Sequence, residues 1–455
     1  MKNATSINPA TEKEIASYER ISPKTAKDKV TKANETHQSW KKTTFAERSK
    51  LMNKLADIFE ENKEEYAQLA TQEMGKILKQ SRSEIEKCAK ICRYYADNIE
   101  ELLADEIIKT EAKKSYITYQ PLGVVLAVMP WNFPFYQVIR FAAPAVMTGN
   151  TGVLKHASNV QGCAFALEEA FIKAGFPEGV FTNFNINSDA IKAIIEDKNI
   201  IGVTLTGGEP AGRSVAKIAG ENLKKTVLEL GGSDAYIILE DVDLEKATDL
   251  ATFGRLQNNG QTCIAAKRFI VLEDIYDNFL KLFTKKMKDA KMGEPKDEDT
   301  YYGPLARVDL RDELHKQVEK TIEQGGKLIL GGKIPNQKGA YYPATILADL
   351  KPGMTAFDEE LFGPVASVIK AKDENEAIEL ANNSTFGLGS GVLTGNSERG
   401  EKIALQLEAG NSFVNKLVAS DPRLPFGGIK NSGYGRELSD FGVKEFVNIK
   451  TIWVD

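Results

Sequence analysis

The strongest constraint on the fold is an alternation of strand-like and helix-like segments between residues 117 and 230. Residues 122–129 are apolar on both alternating faces, which is typical of a central strand in a parallel sheet. Further strand patterns at residues 200–206 and 226–230 each follow a helical pattern. Strands separated by helices of about 10–15 residues predict a parallel, doubly wound α/β sheet.

The alternation resumes after Gly232 and predicts a second α/β domain. Its candidate strands lie at residues 235–239, 268–272, 366–370, 391–393 and 412–414. A chain of 455 residues is too long for one ordinary core, so we expect two or three domains.

The two ends of the chain lie outside this alternation. Residues 1–44 are polar and rich in turn signals, so we expect a peripheral arm with short strands. Residues 446–454 alternate between apolar and polar side chains, as an exposed strand does. The pattern leaves open whether this strand pairs with another subunit or within its own chain.

Composition argues against several classes of partner. The net charge of -5, without a basic block, disfavours nucleic acid or an anionic membrane as a partner. The chain begins without an apolar leader, and no apolar run approaches the ~20 residues of a membrane span. Four cysteines do not make a disulfide framework here, and three scattered histidines do not make a metal set. We therefore expect a reduced, cytoplasmic protein without a metal.

A cysteine and a glutamate on turns are the candidates for catalysis. Cys263 ends the polar segment 258–263, and Glu229 ends an apolar run before Gly231. A thiol can be a covalent nucleophile, and a carboxylate can deprotonate water. The thiol would need a lowered pKa, which N–H groups, a helix N-terminus or the charge of a bound cofactor can supply. No histidine accompanies Cys263, so a Cys–His hydrolase is disfavoured, while a structural cysteine remains an alternative.

Two further turns could bind a ligand. Gly207 and Gly208 join a strand to a helix, where free N–H groups can bind a phosphate, although an ordinary strand–helix turn would look the same. Lys155, at the end of another strand, could add a charge at that edge. Asn132 lies between two prolines on a rigid turn, where its amide could donate to an oxyanion or only cap the next turn.

These motifs, in this order, resemble the aldehyde dehydrogenase superfamily over essentially the whole length. The matching segments are residues 130–134, 149–151 with Lys155, 206–207, 229–232, 260–263, 360–364 and 425–433. The resemblance implies an NAD(P)-binding, Rossmann-like domain from residues 1–107 and 125–230 and a catalytic domain from residues 231–418. It also implies a small β oligomerisation extension, from residues 108–124 and 436–455, and a homodimer or homotetramer.

The resemblance also carries roles to individual residues. It implies that Cys263 is the nucleophile, that Asn132 and the Cys263 N–H form an oxyanion hole, and that Glu229 is the general base. The residues it implies for binding NAD or NADP are Trp131, Lys155, Ser158, Gly207, Gly208, Glu360 and Phe362. Ser158 occupies a position where a glutamate favours NAD, so NADP or dual use is expected, and His156 could also face the 2′-phosphate.

Within the superfamily the chain looks most like the succinate-semialdehyde dehydrogenases. Arg140, eight residues after Asn132, matches an arginine that holds the distal carboxylate, and Ser420 matches a helper hydroxyl. Gln257 replaces a second arginine found in some of these enzymes, and Phe141 replaces a lysine to which a proton-relay role is assigned in many superfamily members. Glutarate semialdehyde or another short aldehyde therefore stays open.

Other classes remain as alternatives. A thioester or ester hydrolase could use Cys263 and Glu229 without hydride transfer. A CoA-acylating dehydrogenase fits less well, because those enzymes tend to lack the glutamate. A non-enzymatic protein on the same fold would tolerate loss of either residue, and both are intact.

Overall fold

The first large sheet of the computed structural model, which describes residues 3–455, has six strands. Their order is Gly433–Tyr434, Lys225–Glu229, Ile200–Thr206, Val124–Met129, Thr151–His156 and Phe181–Asn183. Every neighbouring pair is parallel except that Gly433–Tyr434 runs antiparallel to its neighbour. The helices between these strands are Tyr136–Met147, Gln161–Ala174, Ile191–Glu196 and Glu209–Glu221, with 3₁₀ turns at Ser158–Val160 and Ser188–Ala190.

Helices cover both faces of this sheet, which explains the continuously apolar central strand. Val124 and Leu126 pack into one core cluster with the helices on one face. Val125 and Ala127 pack into a second cluster with the helices on the other face. The predicted doubly wound α/β class is thus confirmed, since alternate residues of a strand point to opposite faces.

The second large sheet has seven strands. Their order is Lys327–Leu330, Thr345–Ala348, Val365–Ala371, Arg268–Leu272, Ala235–Ile238, Gly389–Leu393 and Asn411–Val414. Only Lys327–Leu330 runs antiparallel. Its helices are Leu244–Leu256, Glu273–Asp289, Val308–Glu323, Thr355–Asp358, Glu374–Asn382 and Ser397–Ala404, and a small pair, Phe386–Gly387 with Ile429–Lys430, lies beside it.

The prediction for residues 1–44 is wrong in one respect. A hairpin of Ala4–Ile7 and Glu14–Tyr18 is present, but an 18-residue helix, Pro23–Trp40, follows it. Ser22 caps this helix, and Pro23 occupies its first turn. The helix buries small or polar residues such as Ala26 and Ala33 against the first sheet, so its apolar stripe was too weak to detect.

Three more helices pack on the opposite face of the first sheet. They are Phe45–Glu61, Lys63–Met74 and Leu78–Leu102. Thr44 and Glu47 form a reciprocal capping box at the start of the first, and Gly75 ends the second in a left-handed conformation. The third helix places Cys88 and Cys92 one turn apart, and both are buried.

The C-terminal strand pairs within its own chain. Val447–Val454 runs antiparallel to Lys114–Pro121 along its full length, and Glu106–Ile107 completes a three-stranded sheet. The chain enters this strand from the short helix Ser439–Val443 and the turn Lys444–Phe446. One edge of Val447–Val454 is thus occupied, and its other edge pairs with no strand within residues 3–455.

Hydropathy gives no candidate membrane helix: across residues 3–455, no helix combines the length and the apolar character that a bilayer span requires.

Candidate active site

Cys263 lies at the end of a loop, residues 257–263, which we call the cysteine loop. Asn258, Asn259 and Gly260 have left-handed backbone angles, with φ of 54°, 57° and 75°. Asparagine tolerates this region, and glycine is required at 260 because a Cβ there would lie 2.2 Å from the carbonyl carbon of Gly363. The cysteine loop therefore packs directly on the segment 360–364, far away in the sequence.

Asn132 reaches the cysteine loop from the first sheet. Its Nδ2 donates to the Gln261 carbonyl at 3.0 Å, and Asn258 Nδ2 donates to the Asn132 carbonyl at 2.9 Å. The buried Asn132 side chain does not cap the helix that follows it. Its second amide hydrogen is therefore available to an oxygen beside the cysteine loop.

Cys263 differs from the other cysteines in exposure. It is half-buried, whereas Cys88, Cys92 and Cys163 are buried. Burial raises the pKa of the Cys263 thiol to about 11, against the positive charges of Arg140 and Lys267, which lower it. The protein groups alone therefore do not produce the lowered thiol pKa that we expected, which leaves the charge of a bound cofactor as the remaining source.

Lys267 links the cysteine loop to Glu360. Its buried ammonium donates to the Thr262 carbonyl at 3.1 Å and to the Cys263 carbonyl at 2.6 Å. It also forms an ion pair with Glu360 at 3.0 Å. The residue implied to bind the nicotinamide ribose is thus held, through one lysine, to the backbone of the nucleophile.

The Glu229 turn touches the same loop. A Cβ on Gly232 would lie 3.1 Å from the Cys263 carbonyl oxygen, and one on Gly231 would lie 2.3 Å from Glu360 Oε2. The Glu360 Oε1 atom also accepts from the Gly232 N–H at 3.2 Å. Three segments distant in the sequence therefore meet around Cys263.

Glu229 itself is buried without a hydrogen bond to either carboxylate oxygen within residues 3–455. Burial raises its pKa well above the usual range, and the nearby Glu437 raises it further. The positive charges of Arg140 and Arg436 act in the opposite direction. Glu229 is therefore a carboxyl group that readily holds a proton, as a general base acting on water does.

Arg140 is buried and ion-paired to Glu437. Its Nη2 group has no hydrogen-bond partner in the described part of the chain. Its guanidinium carbon lies 4.8 Å from the centre of the Phe426 ring. Arg140 interacts electrostatically with both Glu229 and Cys263, so this side chain lies at the site, and its role as a substrate ligand stays a prediction.

Ser420 belongs to the same region. Its hydroxyl lies 2.7 Å from the Tyr136 hydroxyl and accepts from Lys87 Nζ at 2.7 Å. Arg140 lies 5.8 Å from the Tyr136 ring. The structure therefore brings Arg140 and Ser420 together through Tyr136, one helical turn before Arg140.

The two departures from the family pattern behave differently. Gln257 begins the cysteine loop, half-buried, and makes no side-chain hydrogen bond within residues 3–455. Phe141 is buried and packs edge-on against Phe446, with ring centres 6.4 Å apart. A side chain at position 141 thus enters the apolar core, where it cannot relay protons.

The residues implied to bind the dinucleotide lie in two places. Gly207 and Gly208 precede the helix Glu209–Glu221, and a Cβ on either would meet nothing closer than 3.6 Å. These two glycines therefore leave the backbone N–H groups at the helix N-terminus accessible to a ligand. Lys155 ends a neighbouring strand, and Ser158 opens the following 3₁₀ turn.

The residues at this edge fit an anionic cofactor. Lys155 is buried, and burial followed by the charge of Arg20 lowers its pKa. Two positive groups close together are poorly accommodated unless an anion lies near them. On the other side, Trp131 and Phe362 meet edge-on with ring centres 5.8 Å apart, which is suited to a flat ring.

His156 does not face this edge, so that expectation is wrong. Its ring is buried, with nitrogens 3.2 Å from the Met129 carbonyl and 2.8 Å from the Pro134 carbonyl. Burial lowers its pKa to about 4, so it is neutral at physiological pH. It supports the turn that carries Asn132.

Within residues 3–455, no group of three or more His, Cys, Asp or Glu side chains could hold a metal ion.

Four residues at the site were missed from the sequence: Lys87, Tyr136, Lys267 and Glu437. Lys267, four residues after Cys263, was the easiest to find, because a cation so close to a nucleophile is a recognisable signal. Lys87 and Glu437 give no such signal, since nothing in their local patterns distinguishes them from surface charges.

Comparison with known proteins agrees with this geometry. The model of the aldehyde dehydrogenase family matches residues 1–452. A probable succinate-semialdehyde dehydrogenase [NADP(+)] of Synechocystis sp. is 49% identical over 448 residues, covering 98% of this chain and 99% of its own. Succinate-semialdehyde dehydrogenase [NADP(+)] 1 of Mycobacterium tuberculosis is 47% identical over 451 residues, with 98% and 99% covered.

A solved structure gives the same result in three dimensions. The succinic semialdehyde dehydrogenase of Streptococcus pyogenes in complex with NADP+ superposes with a TM-score of 0.97, at 40% identity and with 99% of each chain covered. The chain belongs to the aldehyde dehydrogenase family.

Proposed function

We propose that this protein oxidises succinate semialdehyde to succinate with NADP+ as the preferred acceptor. The observation that carries the substrate is the buried guanidinium of Arg140, whose Nη2 has no partner in the described chain and whose field reaches Cys263. A carboxylate is the natural partner of such a group. The similar proteins of Synechocystis, Mycobacterium tuberculosis and Streptococcus pyogenes bear the corresponding names.

The chain's own residues divide the reaction between them. Cys263 Sγ adds to the aldehyde carbon, and the Asn132 amide stabilises the oxyanion that forms. NADP+, when bound, would supply the acceptor for the hydride that this carbon loses, so that a thioester on Cys263 would remain. Glu229 removes a proton from the water that hydrolyses the thioester, so this step should accelerate as Glu229 ionises with rising pH.

The cofactor preference follows from charge at the adenosine end. Ser158 carries no charge that would repel a 2′-phosphate, and Lys155 and Arg20 together add positive charge nearby. Trp131, Gly207, Gly208, Glu360 and Phe362 would hold the rest of the dinucleotide.

The decisive experiment is a steady-state panel of succinate semialdehyde, glutarate semialdehyde and butanal against NADP+ and NAD+. We expect the highest kcat/KM with succinate semialdehyde and NADP+. A preference for glutarate semialdehyde would move the substrate assignment, and NAD+ favoured by more than ~100-fold would overturn the cofactor assignment. Hydrolysis of an acyl ester without any aldehyde oxidation would identify a thiol esterase instead.

We also propose that the protein is a homodimer or homotetramer. The C-terminal sheet leaves Ile107, Ile449 and Trp453 exposed, and the outer edge of Val447–Val454 pairs with no strand within residues 3–455. An apolar strand with an open edge is a common site of subunit contact.

We propose the cytoplasm as its location. All four cysteines have free thiols, which suits a reducing compartment.

A further inference from the structure

Lys87 places a second cation beside the Arg140 region. It lies on the helix Leu78–Leu102, and its Nζ is 2.7 Å from Ser420 Oγ and 4.2 Å from the centre of the Tyr136 ring. Arg140, on a different helix, lies 5.8 Å from the same ring. Two positive groups from separate elements thus converge on one tyrosine.

Lys87 forms no ion pair of its own within residues 3–455, and its hydrogen bond goes to the neutral Ser420 hydroxyl. Arg140 is paired with Glu437, whose own position beside Glu229 already brings two carboxyl groups together. The acids that act on Lys87 from a distance, Asp421 and Glu84, form ion pairs with Arg423 and Lys76.

The pKa of Lys87 reflects this environment. Burial, followed by the charge of Arg140, lowers the pKa of Lys87 to about 8. A cation that is partly desolvated beside another cation gains from an anion placed between the two.

We propose that Lys87 is a specificity-determining residue that binds the distal carboxylate of the substrate together with Arg140. This inference rests on the proposed function and identifies Lys87 as a second cation at the site for the distal carboxylate. Gln257, the position where some succinate-semialdehyde dehydrogenases carry an arginine, is uncharged here. Lys87 supplies the missing charge from a helix that is distant from the cysteine loop in sequence. The Ser420 hydroxyl, which accepts a hydrogen bond from Lys87, orients the ammonium group.

The positive charge of Lys87 and its hydrogen bond to Ser420 can be tested separately. If Lys87 only anchored the segment around Ser420, any side chain that keeps the hydrogen bond would suffice. Lys87→Gln keeps a donor and removes the charge, whereas Lys87→Arg keeps the charge. Both variants should be measured with succinate semialdehyde and with butanal, which has the same four-carbon chain and no carboxylate.

Lys87→Gln should raise KM for succinate semialdehyde about 10- to 100-fold, the usual effect of losing one hydrogen bond between charged groups. Its kcat/KM for butanal should stay within about 2-fold of the original, and Lys87→Arg should recover most of the loss. Succinate should also inhibit butanal oxidation, with a Ki that rises in Lys87→Gln by the same factor as KM. This second measurement needs no turnover of the carboxylated substrate.

Equal losses with both aldehydes would overturn the proposal and leave Lys87 as a tether of Ser420. An unchanged KM for succinate semialdehyde, or an unchanged Ki for succinate, would also overturn it. Failure of the proposed function is visible separately, because the unsubstituted protein would then show no preference for succinate semialdehyde over butanal. Thermal unfolding of each variant establishes that the fold is retained.

Discussion

Glu229 shows how a single residue is kept reactive at a cost to stability. Both carboxylate oxygens are buried without a partner in the described chain, and Glu437 adds negative charge nearby. The pKa of Glu229 is therefore higher in the folded state than in the unfolded state. Between those two values the folded state binds more protons, so its contribution to stability is present at low pH and is lost as pH rises.

We expect Glu229→Gln to stabilise the protein at pH 8, because it removes the cost of ionising a buried carboxyl group that has no hydrogen-bond partner in the described chain. The gain should vanish near pH 3, where the glutamate is protonated in both states. Turnover should collapse after a burst of one reduced cofactor per Cys263, since the thioester would no longer be hydrolysed. Denaturant unfolding at both pH values and stopped-flow absorbance measure the two effects. Equal destabilisation at both pH values would contradict this account.

We expect Ser158 to favour NADP+ because it lacks a negative charge. A glutamate there would place a negative charge beside the 2′-phosphate of NADP+, close to Lys155. Ser158→Glu should raise KM for NADP+ relative to NAD+ by about 10- to 100-fold, or ~1.4–2.7 kcal/mol. Ser158→Ala is the matched control and should change this ratio little. If the ratio stays unchanged in Ser158→Glu, the adenosine end lies elsewhere.

At the scale of the element, the start of the helix Leu78–Leu102 positions both halves of the candidate oxyanion hole. Gln80 accepts from the Asn258 N–H at 2.7 Å, and thus holds the cysteine loop. Glu84, one turn later, accepts from the N–H groups of Phe135 and Tyr136 at 2.8 and 3.0 Å, next to the Asn132 turn. One rigid helix therefore sets the separation between two loops that come from different sheets.

The buried ion pair between Lys76 and Glu84 supports this arrangement. Both side chains are almost fully buried, and Lys76 Nζ lies 4.0 Å from the centre of the Phe133 ring. Lys76→Met should cost about 3–5 kcal/mol, because it leaves Glu84 buried and unpaired. Its kcat should fall, but by no more than the ~10²–10³ expected for Asn132→Ala.

The double variant Lys76→Met with Glu84→Gln is the control for that prediction. It removes both charges and keeps an acceptor for the two N–H groups, so it should be more stable than Lys76→Met alone. Urea unfolding and kcat with succinate semialdehyde measure both effects. Additive losses in the double variant would mean that the two residues act independently.

At the scale of the whole molecule, the C-terminal strand Val447–Val454 is the element on which the proposed subunit contact rests, because one of its edges pairs with no strand within residues 3–455. Ile449 and Trp453 share one face of the strand and are 59% and 47% exposed, an unusual place for two large apolar side chains. Ile449→Lys with Trp453→Lys should dissociate the protein into monomers in light scattering after gel filtration. Leu405→Lys, at a position that is 81% exposed, is the control and should leave the mass unchanged. An unaltered mass in the double variant would place the interface elsewhere.

Much of this architecture was predictable because its causes are local. The continuously apolar run before Met129 marked a strand covered on both faces, and alternating helices implied the doubly wound sheet. The helix Pro23–Trp40 was not predicted because only Val30 and Trp40 among its buried residues are large and apolar, and its other buried residues are alanine, threonine and histidine. The prediction for His156 was wrong because the position of a residue at the end of a strand does not determine the direction of its side chain. Here the two ring nitrogens contact the carbonyls of Met129 and Pro134 instead.

The sequence by itself determined the class of chemistry. Cys263, Glu229 and Asn132 each occupy a turn that follows a regular element. Each of these turns can be recognised from its local sequence alone. The tertiary structure alone decided the electrostatics, since burial and charge act through space rather than along the chain. It raised the pKa of both Cys263 and Glu229, paired Arg140 with Glu437, and brought Lys87 within hydrogen-bonding distance of Ser420.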